Sequence, residues 1–172
     1  RGYYDEAKFS LLTFKYWSKE KNIQLVVLTE KPEEFSDYQV DVITMPQVKK
    51  NEWSLDGKYH FRIKNRGLAY AMDKLNLKDK DKIIFFDTDT YFHKSPLPLF
   101  DLILPNQALL YINEGFIYKR KRFNVYVRNL EGERIKINND FYELSKKSSL
   151  WGSLMIGIMP RMRHSLDWAD SL

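Results

Sequence analysis

The stretch Ile83-Ile84-Phe85-Phe86-Asp87-Thr88-Asp89-Thr90 decides the fold, because an apolar strand ends there abruptly in two aspartates. Four consecutive large apolar residues predict a strand that is buried on both faces. Carboxylates are costly to bury, so two of them at the exit of such a strand require a specific cause. In extended backbone, residues i and i+2 point to the same side. Asp87 and Asp89 are therefore predicted to aim at one spot, with Thr88 turned aside.

Two converging carboxylates repel each other unless they hold a cation or share a proton. Hard oxygen ligands suit Mg²⁺ or Mn²⁺, which usually keep several waters and take phosphate oxygens as further ligands. The sequence thus predicts a metal site at Asp87 and Asp89. The alternative is a solvated Asp-Thr-Asp turn whose side chains bond to their own backbone.

The composition favours one globular domain with anionic partners. A chain of 172 residues with 44% hydrophobic residues can bury a single sizeable core, and it holds no apolar run of the ~18 residues that a membrane span needs. The net charge of +5 favours phosphates or acidic lipids. The basic block at residues 119–122 predicts a solvated or membrane-facing loop rather than a nucleic-acid site.

The chain contains no cysteine, which excludes disulfides and thiolate metal sites. This composition fits a reducing compartment. We therefore expect a cytoplasmic protein, and peripheral association with the inner face of the membrane remains an open alternative.

Helices and strands are predicted to alternate along the first half of the chain. The predicted helices are 3–20, 31–35 and 59–75, the predicted strands are 23–29, 40–44 and 82–86, and 46–58 is predicted to be a loop. This order predicts βαβ units and a mainly parallel sheet. Further along, we expect a strand at 108–112, a hairpin formed by 123–128 and 134–138, a strand at 154–159 and a closing helix from Pro160.

Three segments carry a resemblance to a known family. Residues 82–92, with the order apolar strand and then Asp-Thr-Asp, resemble the Asp-X-Asp segment of nucleotide-sugar-dependent glycosyltransferases of the GT-A fold. Residues 1–7 resemble the junction after the first strand of that fold. Residues 151–157 resemble the small-residue segment that lines the donor pocket.

The resemblance implies an α/β domain with a mostly parallel central sheet flanked by helices, of the GT-A, Rossmann-like type. It implies a single domain over residues 1–172, truncated or partial, whose first strand is missing because the chain enters a helix almost at once. A hairpin insertion is expected at about 115–140.

The family also implies an activity and roles for residues. It transfers a sugar from a nucleoside-diphosphate donor to a glycan or lipid-linked acceptor, as in polysaccharide biosynthesis, with Mn²⁺ or Mg²⁺; a UDP-sugar is favoured as the donor. Asp89 would be the more direct metal ligand, and Asp87 would contact the ribose or reach the metal through water. Thr88, Gly152 and Ser153 would contact the donor.

Cationic side chains at the start of the second long helix are further donor-binding candidates. The helix that precedes a parallel strand runs antiparallel to it, so its N-terminal end lies near the tip of that strand. Lys64 falls on the sheet-facing stripe near this end, where it either snorkels or contacts an anion. Arg62 is a weaker candidate on a neighbouring face. No residue is identified as the catalytic base; Glu114 is the best of the options.

Two other functions remain open. A haloacid-dehalogenase-like phosphatase also has four apolar residues before Asp-X-Asp, with Asp87 as nucleophile and Asp89 as general acid. However, the chain offers no paired acid downstream near a strand end. The second alternative is a non-catalytic glycan-binding relative that keeps the scaffold.

Overall fold

The computed structural model describes residues 2–19, 22–119, 132–137, 140–143, 145 and 147–171. The helices are α1 (Gly2–Trp17), α2 (Gln47–Trp53), α3 (Arg62–Leu75), α4 (Pro98–Asp101) and α5 (Arg163–Ser171), with short 3₁₀ turns at Pro32–Phe35, Ile117–Lys119 and Pro160–Met162. The strands are β1 (Val26–Thr29), β2 (Asp41–Thr44), β3 (Ile83–Phe86), β4 (Leu109–Phe116), β5 (Arg134–Ile137), β6 (Asp140–Glu143) and β7 (Ser149–Ile158).

The strands form three small sheets rather than one large sheet. β1 and β2 make a parallel pair, and β5 and β6 make an antiparallel pair. The third sheet has the order β3-β7-β4, and β7 is antiparallel to both of its neighbours. The expectation of a mostly parallel central sheet is therefore wrong: the protein is a mixed α/β structure with a two-stranded parallel and a three-stranded antiparallel sheet.

The order of elements after β3 differs from the predicted strand–helix alternation. Parallel neighbours need a crossover of about a dozen residues or more, usually a helix. Between β3 and β7, the described part of the chain contains one α-helix, α4, and this helix has only four residues. The ten-residue strand β7 enters between β3 and β4 from the opposite direction. Strands and helices alternate along the chain up to β3, and this alternation does not continue after β3.

The prediction of a loop at 46–58 is wrong, because α2 occupies Gln47–Trp53. The segment is polar and lacks a clear periodicity, so it gives little local signal. Its one large apolar anchor is Trp53, which is buried and packs edge-on against Tyr70 of α3 at 5.4 Å between ring centroids. A tertiary contact thus stabilises a helix that the sequence pattern does not favour.

The predicted hairpin is described only in part. Its second arm is β5, which pairs with β6. The first arm, at 123–128, lies outside the described residues, as do residues 120–122 of the basic block, so these two features stay predictions.

The main core lies where α3 and α5 cover β7. Its buried members include Leu68 and Met72 of α3, Ile156 and Ile158 of β7, and Leu166 of α5. An ion pair fixes the two helices at their surface, since Nε and Nη2 of Arg163 each lie 2.9 Å from an oxygen of Asp73. The core therefore holds α3 against the sheet that carries β3.

We expect Ile158→Ala to lower the free energy of unfolding by about 2–5 kcal/mol, because it removes a side chain that is 2% exposed and leaves a cavity. Urea denaturation measures this change. Val48→Ala, at a position 78% exposed on α2, is the control and should change it by less than about 0.5 kcal/mol. Equal effects of the two substitutions would contradict the assignment of this core.

Candidate functional site

The end of β3 is fixed by two backbone hydrogen bonds of Asp87. Its N–H donates to the carbonyl of Leu154 on β7 at 2.9 Å, which continues the strand ladder by one residue. Its carbonyl accepts from the N–H of Thr90 at 3.0 Å, which closes a tight turn over residues 87–90. Asp87 is thus the last residue held by the sheet, whereas Asp89 lies within the turn.

The turn changes the predicted relation between the two carboxylates. The extended backbone stops before Asp89, so the rule that residues i and i+2 share a side does not place these side chains. The Asp87 side chain is only 17% exposed, whereas Asp89 and Thr88 are exposed. The two charges are still close enough to interact, because Asp89 is among the groups that raise the pKa of Asp87.

Lys64 is the cation of this site. Its Nζ lies 2.5 Å from Oδ2 of Asp87, and its side chain is 19% exposed. Lys64 is the third residue of α3, so its placement at the tip of β3 agrees with the position inferred from the sequence. Its contact in this structure is the aspartate itself. A partly buried charge is tolerated when it is paired in this way.

The pKa of Asp87 lies above its ordinary value. Burial is the largest cause, since it disfavours the charged carboxylate, and the nearby charge of Asp89 adds to it. The hydrogen bond and the charge of Lys64 act in the opposite direction without cancelling burial. The site therefore combines an exposed carboxylate with a partly buried one that accepts a proton more readily.

Aromatic packing supports the turn, and the sequence analysis missed it. The ring of Phe92 lies edge-on to Phe86 at 5.0 Å and to Phe14 of α1 at 5.2 Å between centroids. The N–H of Phe92 donates to Oγ1 of Thr13 at 3.1 Å. In the sequence, the signal for this packing was one apolar residue, Phe92, shortly after the two aspartates. These contacts join the turn to α1.

The strand pairing brings Ser153 close to the turn. Ser153 directly precedes Leu154, whose carbonyl accepts the N–H of Asp87, and it is half-buried. Gly152 follows on the same strand and is buried. A contact of Gly152 or Ser153 with the donor stays a prediction.

Gly152 also has a packing reason to be glycine. A Cβ there would lie 3.1 Å from Cγ2 of Ile112 and 3.5 Å from Oε1 of Glu114, both on the neighbouring strand β4. A larger residue would therefore displace β4 side chains. This observation places Glu114 beside β7, and its role as a catalytic base stays a prediction.

Arg62 makes a different contact. Its Nη1 donates to the backbone carbonyl of Glu52 at 3.1 Å, which ties the start of α3 to α2. The placement of Arg62 thus has a structural explanation, and a role in donor binding stays a prediction.

The donor set fits a loosely held divalent cation. Within the described residues, no group of three or more His, Asp or Glu side chains could form a closed metal site. Mg²⁺ and Mn²⁺ do not require one, because one or two carboxylates together with waters and substrate phosphates are sufficient. In the predicted site, Asp87 and Asp89 would supply those two carboxylates.

No protein-family model, curated protein or solved structure matches this chain. Among the helices of the described residues, none has the length and apolar character to cross a bilayer.

We expect the raised pKa of Asp87 to appear in the pH dependence of stability. The folded state binds this proton more tightly than the unfolded state, so Asp87 contributes stability at low pH. That contribution is lost as the pH rises from the unfolded value near ~3.9 through the higher folded pKa. Asp87→Asn cannot titrate at this position, so the variant does not lose this stability as the pH rises. The free energy of unfolding of the variant minus that of the wild type should therefore increase with pH across this window and then level off.

Urea denaturation between pH 3.5 and 7 measures that difference. Asp79→Asn is the control, because Asp79 is an exposed aspartate in the turn that precedes β3. A difference for Asp87→Asn that stays flat or decreases with pH would contradict the raised pKa.

Proposed function

We propose that this protein is a metal-dependent glycosyltransferase that takes a sugar from a nucleoside-diphosphate donor, with UDP favoured as the nucleotide. The acceptor class is a glycan or a lipid-linked saccharide. One observation carries the proposal: the exit of strand β3 joins a partly buried Asp87–Lys64 pair to an exposed Asp89. The resemblance of residues 82–92 to the Asp-X-Asp segment of such enzymes supplies the activity and the substrate class.

Each charged residue has a distinct role in this proposal. Asp89 is exposed in the turn and holds the divalent cation through its carboxylate. Asp87 is fixed by the strand and by Lys64, so it presents its carboxylate in one orientation toward the cation's waters or the donor ribose. Lys64 provides a positive charge for the donor diphosphate. Thr88 and Ser153 flank this group and contact the donor.

The charge balance supports an anionic ligand that arrives with a metal. Asp87 and Lys64 neutralise each other, which leaves Asp89 as the one uncompensated charge of the three. A divalent cation on Asp89 makes the site net positive and thus attractive to a diphosphate. When bound, Mn²⁺ or Mg²⁺ would stabilise the negative charge that develops on the departing nucleoside diphosphate.

The proposal includes a cytoplasmic location, with any lipid-linked acceptor reached at the inner face of the membrane. The absence of cysteine from the sequence and the net charge of +5 support it.

Asp89→Ala should weaken Mn²⁺-dependent UDP binding at least tenfold, because it removes the exposed metal ligand. The melting temperature should change little, since the side chain is exposed. Isothermal titration calorimetry with UDP, with and without Mn²⁺, measures the affinity. Asp79→Ala is the matched control and should bind as the wild type does. Unchanged UDP affinity in Asp89→Ala would contradict the metal role.

Lys64→Met should weaken UDP binding in the presence of Mn²⁺ at least tenfold, because it keeps the aliphatic stem and removes the charge. Lys64→Arg, which retains a cation, should recover part of the affinity. The control is Lys58→Met, an exposed lysine shortly before α3. Calorimetry gives the affinities and thermal unfolding gives the stability. A large drop in melting temperature with unchanged UDP affinity would show that Lys64 serves the fold alone.

An activity assay separates the proposed enzyme from the phosphatase alternative. A glycosyltransferase should slowly hydrolyse UDP-sugars in the presence of Mn²⁺ and leave p-nitrophenyl phosphate intact. Turnover of p-nitrophenyl phosphate alone would favour a phosphatase, and metal-dependent UDP binding without turnover of either compound would favour the non-catalytic alternative.

A further inference from the structure

A cavity of about 1110 Å³ lies between β1 and β3, and helices α1 and α3 together with residues 95–101 form its other walls. Its lining is mainly apolar, with Leu and Val side chains from β1 and Ile and Phe side chains from β3. Folded proteins rarely leave an apolar space of this size inside a layer of secondary structure. The cavity therefore needs an occupant.

The lining residues show that the cavity runs along the edges of two strands. Six consecutive residues, Ile23–Leu28, line it on one side, and six more, Ile83–Thr88, line it on the other. Successive side chains of a strand point to opposite faces, so a cavity on one face would contact every second residue. Because the cavity contacts every residue of these two stretches, it faces the edges of the strands rather than one face.

The hydrogen-bond pattern of β1 identifies the backbone groups that point into this space. The N–H groups of Asp41 and Met45 donate to the carbonyls of Leu25 and Thr29, at 2.9 and 2.8 Å. In a parallel pair, the residues between those that bond the partner direct their N–H and C=O to the other edge. Val26 and Leu28 therefore present their N–H and C=O groups to the cavity.

The same reasoning applies to β3. The N–H of Asp87 donates to the carbonyl of Leu154, so Phe85 and Ile83 also face β7, while Ile84 and Phe86 face the cavity. Within the part of the chain that the structure describes, no strand pairs with either of these edges. Buried backbone groups are normally paired, so two facing open edges form a site for a further strand.

The size of the cavity agrees with a single strand. One residue of a strand occupies ~160 Å³, which is the product of the rise per residue (~3.3 Å), the spacing between strands (~4.8 Å) and the spacing between layers (~10 Å). The volume therefore corresponds to about seven residues, a common strand length.

We propose that this cavity holds one inserted β-strand, an extended apolar segment of about seven residues that is joined to the N-terminal end of α1. The strand bonds to Val26 and Leu28 on one side and to Ile84 and Phe86 on the other, and so joins the two sheets into one mixed sheet. This inference is independent of the proposed function.

The direction of α1 supports this attachment. Near the start of α1, Tyr4 packs on Phe35 at 6.3 Å between ring centroids, and Nζ of Lys31 lies 5.5 Å from the Tyr4 ring. Both partners follow the C-terminal end of β1. A strand that leads into α1 therefore ends beside the end of β1 and runs parallel to it, as in a strand–helix–strand unit.

The inner face of α1 already fits such a strand. Ala7, Leu11 and Phe14 line the cavity and would pack on its side chains. A strand that is covered by helices and paired on both edges is expected to be apolar throughout.

The experiment compares the 172-residue chain with the same chain carrying a seven-residue valine- and isoleucine-rich segment directly before Arg1. The control extension has two prolines, which cannot donate to a ladder. Amide hydrogen exchange at residue resolution is the readout. We expect the extension to slow exchange at Val26, Leu28, Ile84 and Phe86 at least tenfold. The alternate amides, such as those of Val27 and Phe85, should change less, and the proline control should have no effect.

Several outcomes would overturn the proposal. One is unchanged exchange at the four cavity-facing amides. Another is the same protection in the unextended chain as its concentration rises, which would mean that a second copy fills the space. A third is protection by a small apolar probe such as 1-anilinonaphthalene-8-sulfonate with none by the extension. If the extended chain aggregates, the seven-residue peptide added in trans must protect the same four amides, and failure to do so also overturns the proposal.

Discussion

The ion pair between Lys64 and Asp87 is the interaction on which the site depends. It joins the first turn of α3 to the last ladder residue of β3, and both side chains are less than one-fifth exposed. Removing either partner would leave a charge in a setting that disfavours it. The pair therefore fixes the geometry of the strand end, and it leaves Asp89 as the exposed member of the group.

Helix α3 connects this pair to the rest of the molecule. Its buried face packs on β7 through the main core, and its Gly67 approaches β1 so closely that a Cβ would lie 2.9 Å from Cδ2 of Leu28. The same helix thus contacts both sheets and lines the cavity between them. The candidate site lies at one end of this cavity, since Lys64 and Asp87 are among its lining residues. A strand in the cavity would end near Asp87, so it would also shape the surroundings of the site.

The parts of the site that were predictable are those with a local cause. Ile83–Phe86 is apolar without interruption and is followed by acidic residues, which marks both a strand and its end, although all four strand residues are half-buried rather than fully buried. The position of Lys64 near the strand end was predictable from helical periodicity and from the direction of a helix that precedes a strand. By contrast, the turn that separates Asp89 from the extended backbone depends on the pairing of Asp87 with Leu154, a contact between residues far apart in sequence.

By itself, the sequence determined the helices α1 and α3, the strand β3 and the charges at its end, because periodicity, strand length and helix position act over a few residues. Only the tertiary structure decided that β7 lies antiparallel between β3 and β4, that Lys64 pairs with Asp87 and that Trp53 stabilises α2. Strand order depends on connection lengths and on packing between distant segments, and the protonation of Asp87 depends on burial. These quantities belong to the folded molecule as a whole, which is why a local pattern does not contain them.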